Sequence, residues 1–330
     1  MQGGPPSPDP PWALIVAGPT ASGKSALALA LAERLGGAVI NADAMQTYRE
    51  LRILTARPTP EEEARVPHFL DGVRPAAEAG SAAWWRGAAL AAMAACRAAG
   101  LVPILCGGSG MYLHALIHGI ADIPRPTAAA RAEARARLAA EGPAGLHAAL
   151  AAADPATAAR LNPADGQRIA RAWEVWRSTG RGLAAWQQDG QQDEKAGPAP
   201  WRFRAVKLDP PRAALRAAIE ARFAAMLAAG ALAEARALLA LGLDPTLPAL
   251  RAHGVPELAA HLRGEIGLAE AARRACLATG RYTKRQATWF RHHSLAPGGE
   301  THTIHARFTD LTQFSERELA EFFNFLCPRG

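Results

Sequence analysis

The segment Gly18-Pro19-Thr20-Ala21-Ser22-Gly23-Lys24-Ser25 constrains this chain more than any other, because it fits the pattern G-x-x-x-x-G-K-[ST] in the context that pattern requires. An apolar run, Trp12 to Ala17, precedes it, and an Ala/Leu-rich stretch, Lys24 to Leu35, follows and is closed by Gly36 and Gly37. That order predicts strand, glycine loop, helix and glycine stop. Successive backbone N–H groups and the positive end of the helix cradle phosphate oxygens. Lys24 adds a point charge, and the Ser25 hydroxyl is placed to ligand Mg2+. The loop specifies a diphosphate or triphosphate without saying which.

Three further short apolar runs, Ala38 to Asn41, Leu101 to Cys106 and Ala205 to Leu208, each lead into a polar or glycine-rich turn. Short strands alternating with helices predict an α/β fold, a P-loop NTPase-like parallel sheet flanked by helices, with ligands at the carboxyl ends of the strands. At about 150 residues per domain, 330 residues predict two domains, or one with a large insertion. Between Pro124 and Gly197 strand signals vanish, and Ala/Arg/Leu segments alternate with turn signals at Gly142-Pro143, Asp154-Pro155 and Asn162-Pro163. We therefore expect a tail over 1–11, a catalytic core over 12–123 and 201–330, and an inserted all-helical subdomain with its linker over 124–200. Helices are expected again from Arg212 to Leu241 and from Leu268 to His292.

The composition, 49% hydrophobic and 20% charged, excludes a disordered or fibrous chain. The longest apolar stretches carry Arg97, or Glu234 and Arg236, so none reaches the roughly 18 residues of a membrane span. The proline-rich start, Met1 to Pro11, has no apolar core of a signal peptide, and a cytoplasmic location follows as the expectation. Cys96, Cys106, Cys276 and Cys327 show no C-x-x-C pairing, which predicts buried, reduced thiols and no structural zinc.

Nucleotide-hydrolysing and kinase sites usually place an acidic residue at the end of a second strand to hold magnesium. Leu101 to Cys106 ends instead in Gly107-Gly108-Ser109-Gly110, whereas Ala38 to Asn41 leads into Asp43. That carboxylate is a candidate metal ligand, a candidate base, or the N-cap of a helix over Met45 to Arg49. Net charge is +7, with an isoelectric point near 9.7, which points to a polyanionic partner. No Asp or Glu lies between Glu270 and Glu300. On a helix, Arg281, Lys284, Arg285, Thr288, Arg291 and His292 share an arc of about 120°, opposite Ala275, Ala278, Tyr282, Gln286, Trp289 and Phe290. An unneutralised cationic stripe of this kind suits a nucleic-acid backbone. A kinase using ATP at the loop and a non-catalytic RNA-binding module are the competing readings. The missing second-strand acid opposes the first, and an intact Gly23-Lys24-Ser25 near Asp43 opposes the second.

Taken together the motifs resemble those of the tRNA dimethylallyltransferases (tRNA isopentenyltransferases), from about Trp12 to Arg291. Gly18 to Ser25 is similar to the family's GPTASGK[ST], Asn41 to Tyr48 to its ADS-x-Q-x-Y, Thr55 to Pro58 to its TAKP, and Gly107 to Tyr112 to its GGTGLY. Asp165 to Glu174 resembles D-x-Q-R-x-x-R-A-x-E, Ile219 to Leu227 carries the arginine that members direct at a diphosphate, here Arg222, and Tyr282 to Arg291 resembles YAKRQ-x-TWFR.

The resemblance implies transfer of a dimethylallyl group from dimethylallyl diphosphate to N6 of the adenosine 3′-adjacent to the anticodon, by a monomer. It implies that Gly18, Pro19, Thr20, Ala21, Ser22, Gly23, Lys24 and Ser25 bind the diphosphate, with Mg2+ on Ser25. Asp43, Ser109 and Arg222 are the implied catalytic residues, Asp43 as base. The implied contacts to the tRNA anticodon stem and loop are Asp43, Ala44, Met45, Gln46, Ser109, Arg131, Gln167, Arg168, Arg171, Arg251, Lys284, Arg285, Gln286, Thr288, Trp289 and Arg291. The chain departs from the family pattern where Ala44 replaces a serine, where Arg251 to Glu257 (RAHGVPE) replaces R-x-x-GYRE, and where Gly280 replaces an arginine. Reversing the charge at Lys284, Arg285 and Arg291 is expected to weaken tRNA binding and to flatten its salt dependence by roughly one unit of slope per residue, measured by filter binding across a salt series.

Overall fold

A computed structural model describes residues 10–190, 197–296 and 300–326. Cys327, Lys195, most of the amino-terminal tail and the middle of the expected linker lie outside the described residues. The chain divides into two compact units, residues 1–117 with 199–330, and residues 118–198.

The first unit is built on six parallel strands in the order β3-β2-β4-β1-β5-β6: β1 (Trp12–Ala17), β2 (Gly37–Asn41), β3 (His68–Phe69), β4 (Val102–Gly107), β5 (Arg202–Leu208) and β6 (Thr301–Ile304). Helices α1 (Lys24–Leu35), α2 (Pro60–Arg65), α3 (Ala82–Ala98) and α4 (Gly110–His118) connect the first four strands and lead out of the unit. The second unit is helical: α5 (Ala128–Ala153), α6 (Pro155–Ala158), α7 (Gly166–Thr179) and α8 (Leu183–Gly190). After β5 the first unit adds α9 (Arg212–Ala228), α10 (Ala231–Ala240), a 3-10 turn (Pro248–Arg251), α11 (Val255–Leu262) and α12 (Leu268–His292), and α13 (Glu316–Leu326) follows β6.

β1 is central and buried from Ala13 to Ala17, so its alternate side chains feed two cores. Ala13, Ile15 and Ala17 join Ile40, Trp85, Leu113 and Phe290 on one face. Leu14 and Val16 join Leu27, Leu31, Val206, Phe308 and Phe322 on the other. A third core, including Tyr48, Leu51, Phe223, Leu238, Val255, Leu258 and Ala275, packs α9 to α12 against the segment after β2. The helical unit has its own core around Leu146, Leu150, Ile169, Ala172 and Trp173. Its Gly142-Pro143 signal breaks α5, where Gly142 leaves helical geometry at φ 69°, ψ 178°.

The parallel sheet flanked by helices is as expected, and α1 and α12 have the expected bounds. Three local expectations are corrected. No helix forms over Met45 to Arg49; residues 44–47 are a turn, because the Asp43 carboxylate takes the Met45 N–H and the chain then bridges at Tyr48 to Arg74. The Arg212 to Leu241 helix is two helices parted at Gly230. Cys96 and Cys106 are buried thiols, but Cys276 is only half-buried, on the rim of α12. No single described helix is long and apolar enough to cross a membrane.

β2 and β4 pair through Asn41 and Cys106, so the turns that leave them meet at one carboxyl edge. A Cβ at Gly107 would lie 2.1 Å from the carbonyl carbon and oxygen of Ala42, a backbone contact no rotamer change relieves. Gly107→Ala is expected to lower the urea midpoint at unchanged m-value, a cost of about 1–3 kcal/mol or more.

Candidate active site

The loop between β1 and α1 is shaped to receive an anion. Gly23 is the N-cap residue of α1 at φ 92°, ψ 10°, a conformation that favours glycine, and it provides no side-chain cap. The first-turn N–H groups of α1 are therefore left for a ligand. Lys24 is buried, and burial lowers its pKa, with Asp43 acting to raise it and Arg222 lowering it further. The Ser25 side chain is exposed at the helix start, and the buried Ser22 hydroxyl has no hydrogen-bond partner. Beneath them the Cys106 thiol lies 3.6 Å from the Lys24 carbonyl oxygen and is pushed up to about 12 by burial, which keeps it un-ionised.

Asp43 is set by a lattice of local bonds. Its backbone N–H donates to Asn41 Oδ1 at 2.7 Å, while Asn41 Nδ2 donates to the carbonyls of Asp43 and Leu70, both at 3.1 Å. Its Oδ1 accepts the Met45 N–H at 2.9 Å. Ser109 locks the neighbouring turn: its N–H donates to Ala42 O at 3.2 Å and its hydroxyl accepts the Ala44 N–H at 2.9 Å. Burial pushes the Tyr282 phenol up to about 12, with Asp43 adding to the rise and Arg285, Ser109 and Gln286 opposing it. The His253 ring lies 4.9 Å from that of Tyr282, tilted at 48°, and burial lowers its pKa against the pull of Glu257 and Asp43.

Arg222, on α9, completes the site. Asp43 favours its charge while burial opposes it, and its Nη2 donates to Thr55 O at 3.3 Å. The Thr55 to Pro58 loop is held from two other sides. Gln46 Nε2 donates to Thr55 O and Ala56 O at 3.0 and 2.9 Å. The Glu234 carboxylate accepts the N–H groups of Arg52, Ile53 and Leu54 at 2.7–2.8 Å. The result is a cavity of about 900 Å³ whose wall includes Lys24, Ser25, Arg52, Arg57, Arg222 and Arg307, with Glu62 as the one carboxylate.

Several residues expected to touch tRNA have other work in this structure. Gln286 is buried; its Oε1 accepts the Thr20 N–H at 2.8 Å and the Thr20 hydroxyl at 3.2 Å, and its Nε2 donates to Gly108 O at 3.0 Å. It ties the phosphate loop to the glycine turn. The Gln46 amide nitrogen is spent on the Thr55 loop, Met45 packs against the third core and Ala44 against the first. Trp289 stacks on His293 at 4.2 Å. Lys284, Arg285, Thr288 and Arg291 are exposed on α12 with Arg281 and His292, and Arg251 is exposed at the end of its 3-10 turn. In the helical unit Arg131, Gln167 and Arg168 are exposed, and Arg168 pairs with Asp165 at 3.3 Å. Arg171 is half-buried near Glu174, and both burial and Arg131 lower its pKa. Tyr282, His253, Arg57 and Arg307 were not read as site residues from sequence. Tyr282, His253 and Arg57 sit in segments that carry the family resemblance, and Arg307 does not.

A parallel sheet with an uncapped phosphate loop, two cations and a carboxylate at its carboxyl edge defines a phosphate-loop group transferase. The family model described as "IPP transferase" matches residues 46–293, and the one described as "Isopentenyl transferase" matches 12–75. The chain is 62% identical to the tRNA dimethylallyltransferase of Granulibacter bethesdensis over 95% of this chain and 97% of that protein. Among solved structures, it resembles the tRNA isopentenylpyrophosphate transferase of Bacillus halodurans at TM-score 0.65 and 30% identity, covering 96% and 95% of the two chains. It also resembles a eukaryotic dimethylallyltransferase acting on tRNA at TM-score 0.75 and 25% identity, covering 97% and 80%. The chain belongs to the tRNA dimethylallyltransferase family and is an enzyme of the prenyltransferase class.

One further carboxyl lies beside this site. Burial pushes Asp71 up to about 7, against the pull of Arg57 and Arg52 and with Glu63 and Asp43 adding to the rise, and its Oδ1 is buried without a partner. Between its ordinary value of 3.8 and about 7 the folded state binds more protons than the unfolded chain, so this group makes stability fall as pH rises through that window. Asp71→Asn is expected to raise the melting temperature more at pH 8 than at pH 5, followed by thermal melts across that range.

Proposed function

We propose that this enzyme transfers the dimethylallyl group from dimethylallyl diphosphate to N6 of the adenosine 3′-adjacent to the anticodon, giving N6-isopentenyladenosine in tRNA. The observation that carries the reading is the mutual electrostatic reach of Lys24, Arg222 and Asp43 at one sheet edge. Two cations meet a leaving diphosphate there, and a carboxylate meets the incoming amine.

The phosphate oxygens lie on the N–H groups at the uncapped start of α1, with Lys24 and Arg222 stabilising the charge that grows as the carbon–oxygen bond breaks. That bond's electron pair leaves with the diphosphate. The amine nitrogen of adenine, whose lone pair is delocalised into the ring, forms the new carbon–nitrogen bond and gives up a proton. Asp43 accepts that proton on Oδ2, since Oδ1 is already engaged by the Met45 N–H. The exposed Ser25 hydroxyl beside a phosphate cradle fits Mg2+, a cation that takes one or two protein oxygens with substrate phosphates and water. When bound, it supplies charge neutralisation on the leaving group.

Reaching N6 requires the adenine to leave its stack. The exposed cations of α12 and, in the helical unit, Arg131, Gln167, Arg168 and Arg171 support a grip on the anticodon stem and loop. A cytoplasmic monomer suits an enzyme that holds one stem and loop at a time.

Unmodified tRNA incubated with the enzyme, Mg2+ and either dimethylallyl diphosphate or ATP, then digested for nucleoside mass spectrometry, tests the reaction and the donor together. Prenylated adenosine is expected only with the diphosphate. Consumption of ATP without an adduct would return the loop to a kinase reading. Asp43→Ala is expected to lower turnover by about 10²–10⁴-fold while tRNA binding is largely kept. Near-normal turnover would remove Asp43 from the chemistry.

A further inference from the structure

The parallel sheet brings the carboxyl end of β6 to the same edge as the phosphate loop, and the chain leaving β6 crosses the outside of that loop. The Phe308 N–H donates to Ser22 O at 2.9 Å, and a Cβ at Gly23 would lie 2.1 Å from Phe308 O. Phe308 itself is buried in the core beneath α1, which fixes the crossing. One residue earlier, Arg307 donates from Nε to Ala21 O at 3.1 Å. Ala21 sits at φ 66°, a conformation that costs energy for a residue with a side chain, so this contact holds the loop at its most strained point. Arg307 also lines the cavity of Lys24, Ser25 and Arg222. Many surface arginines of this chain pair with carboxylates, as Arg65 does with Glu33 and Arg317 with Glu321. Arg307 takes part in no ion pair among the described residues, and Nε is its one bonded nitrogen there.

We infer that Arg307, carried by the strap after β6, is a further diphosphate-binding residue of this enzyme, bracing the loop through Nε and offering the rest of its guanidinium to the phosphate group. A guanidinium presents several donors in a plane, so one edge can hold a carbonyl while another meets phosphate oxygens. The cavity's charge supports this assignment: five cations face it against Glu62, and Arg52 is already paired with Glu63 at 3.0 Å. The inference rests on the diphosphate occupying the loop as proposed above.

Arg307→Gln keeps a donor for Ala21 O and removes the charge, whereas Arg307→Lys keeps the charge. In steady-state assays Arg307→Gln is expected to raise the KM for dimethylallyl diphosphate and the inhibition constant of inorganic pyrophosphate by about tenfold each, the scale of one charge-assisted hydrogen bond. The KM for tRNA is expected to stay in place, and Arg307→Lys to recover most of the loss. A Gln variant with wild-type diphosphate KM, or one that raises the KM for tRNA equally, would overturn the assignment. Lys24→Ala, assayed alongside, separates the two levels. If it raises the diphosphate KM and Arg307→Gln does not, only Arg307 is misassigned. If neither does, the diphosphate is not on the loop.

Discussion

Lys24 is a buried ammonium at the uncapped start of α1, and burial alone makes its charge unfavourable. The helix dipole adds positive potential at the same point, so the local structure is at its most costly until an anion arrives. Everything around the loop serves to keep that charge concentrated. Gly23 turns the N–H groups inwards with the Phe308 carbonyl packed hard behind it, and Gln286 holds Thr20 from the opposite side. Asp43 favours the Lys24 charge, but its carboxylate is anchored to the turn at Met45. Attraction at that distance eases the cost without neutralising it. On the function proposed above, a diphosphate, carrying more charge than one carboxylate, is the partner that balances this charge.

The acceptor side is fixed by backbone more than by side chains. β2 and β4 are in register through Asn41 and Cys106, and the Ala42 N–H continues the pairing onto Cys106 O at 2.8 Å. Asp43 then has little freedom, because Asn41 bonds both its N–H and its carbonyl and reaches Leu70 across the sheet edge. The same frame explains why Ala44 is tolerated where relatives carry serine. Its N–H already bonds Ser109 Oγ, so the turn keeps its tie to the glycine segment without a hydroxyl at that position.

What the sequence revealed follows from how local each signal is. β1, α1 and α12 were legible because each is coded by its own period and ended by its own glycine or polar break. β3 is two residues long, and β6 reads THTI with no apolar run, so neither carries a pattern of its own; both exist because a parallel partner is waiting. Asp43 and Lys24 could be placed at one edge from strand order alone. The role of Gln286 could not, since its partners Thr20 and Gly108 lie 266 and 178 positions away. Helical spacing did place it on the inner arc of α12, and that inner position, more than its place in a motif otherwise facing outwards, decides what its amide does. The sequence shows Glu234 only as a charge in an apolar stretch, for the same reason: the three N–H groups that give it its function lie some 180 positions upstream.

Charge along α12 is unevenly divided. At its start Arg273 and Arg274 share Glu270, both at 2.7 Å, so two cations there are offset by one carboxylate. Beyond it Arg281, Lys284, Arg285 and Arg291 take part in no ion pair among the described residues, so the outward field grows towards the carboxyl end. The helix dipole is negative at that end and favours cations there. Arg285 lies 5.4 Å from the Tyr282 ring, and Tyr282 in turn lies within electrostatic reach of Ser109 and Asp43. Within three residues, just under a full turn of helix, the same helix passes from an exposed cation, Arg285, to the half-buried Tyr282 phenol; on the function proposed above these face a phosphate backbone and the proton-accepting carboxylate. On that proposal, rigid helical spacing sets how far a base travels from a backbone held by α12 to the Asp43 carboxylate.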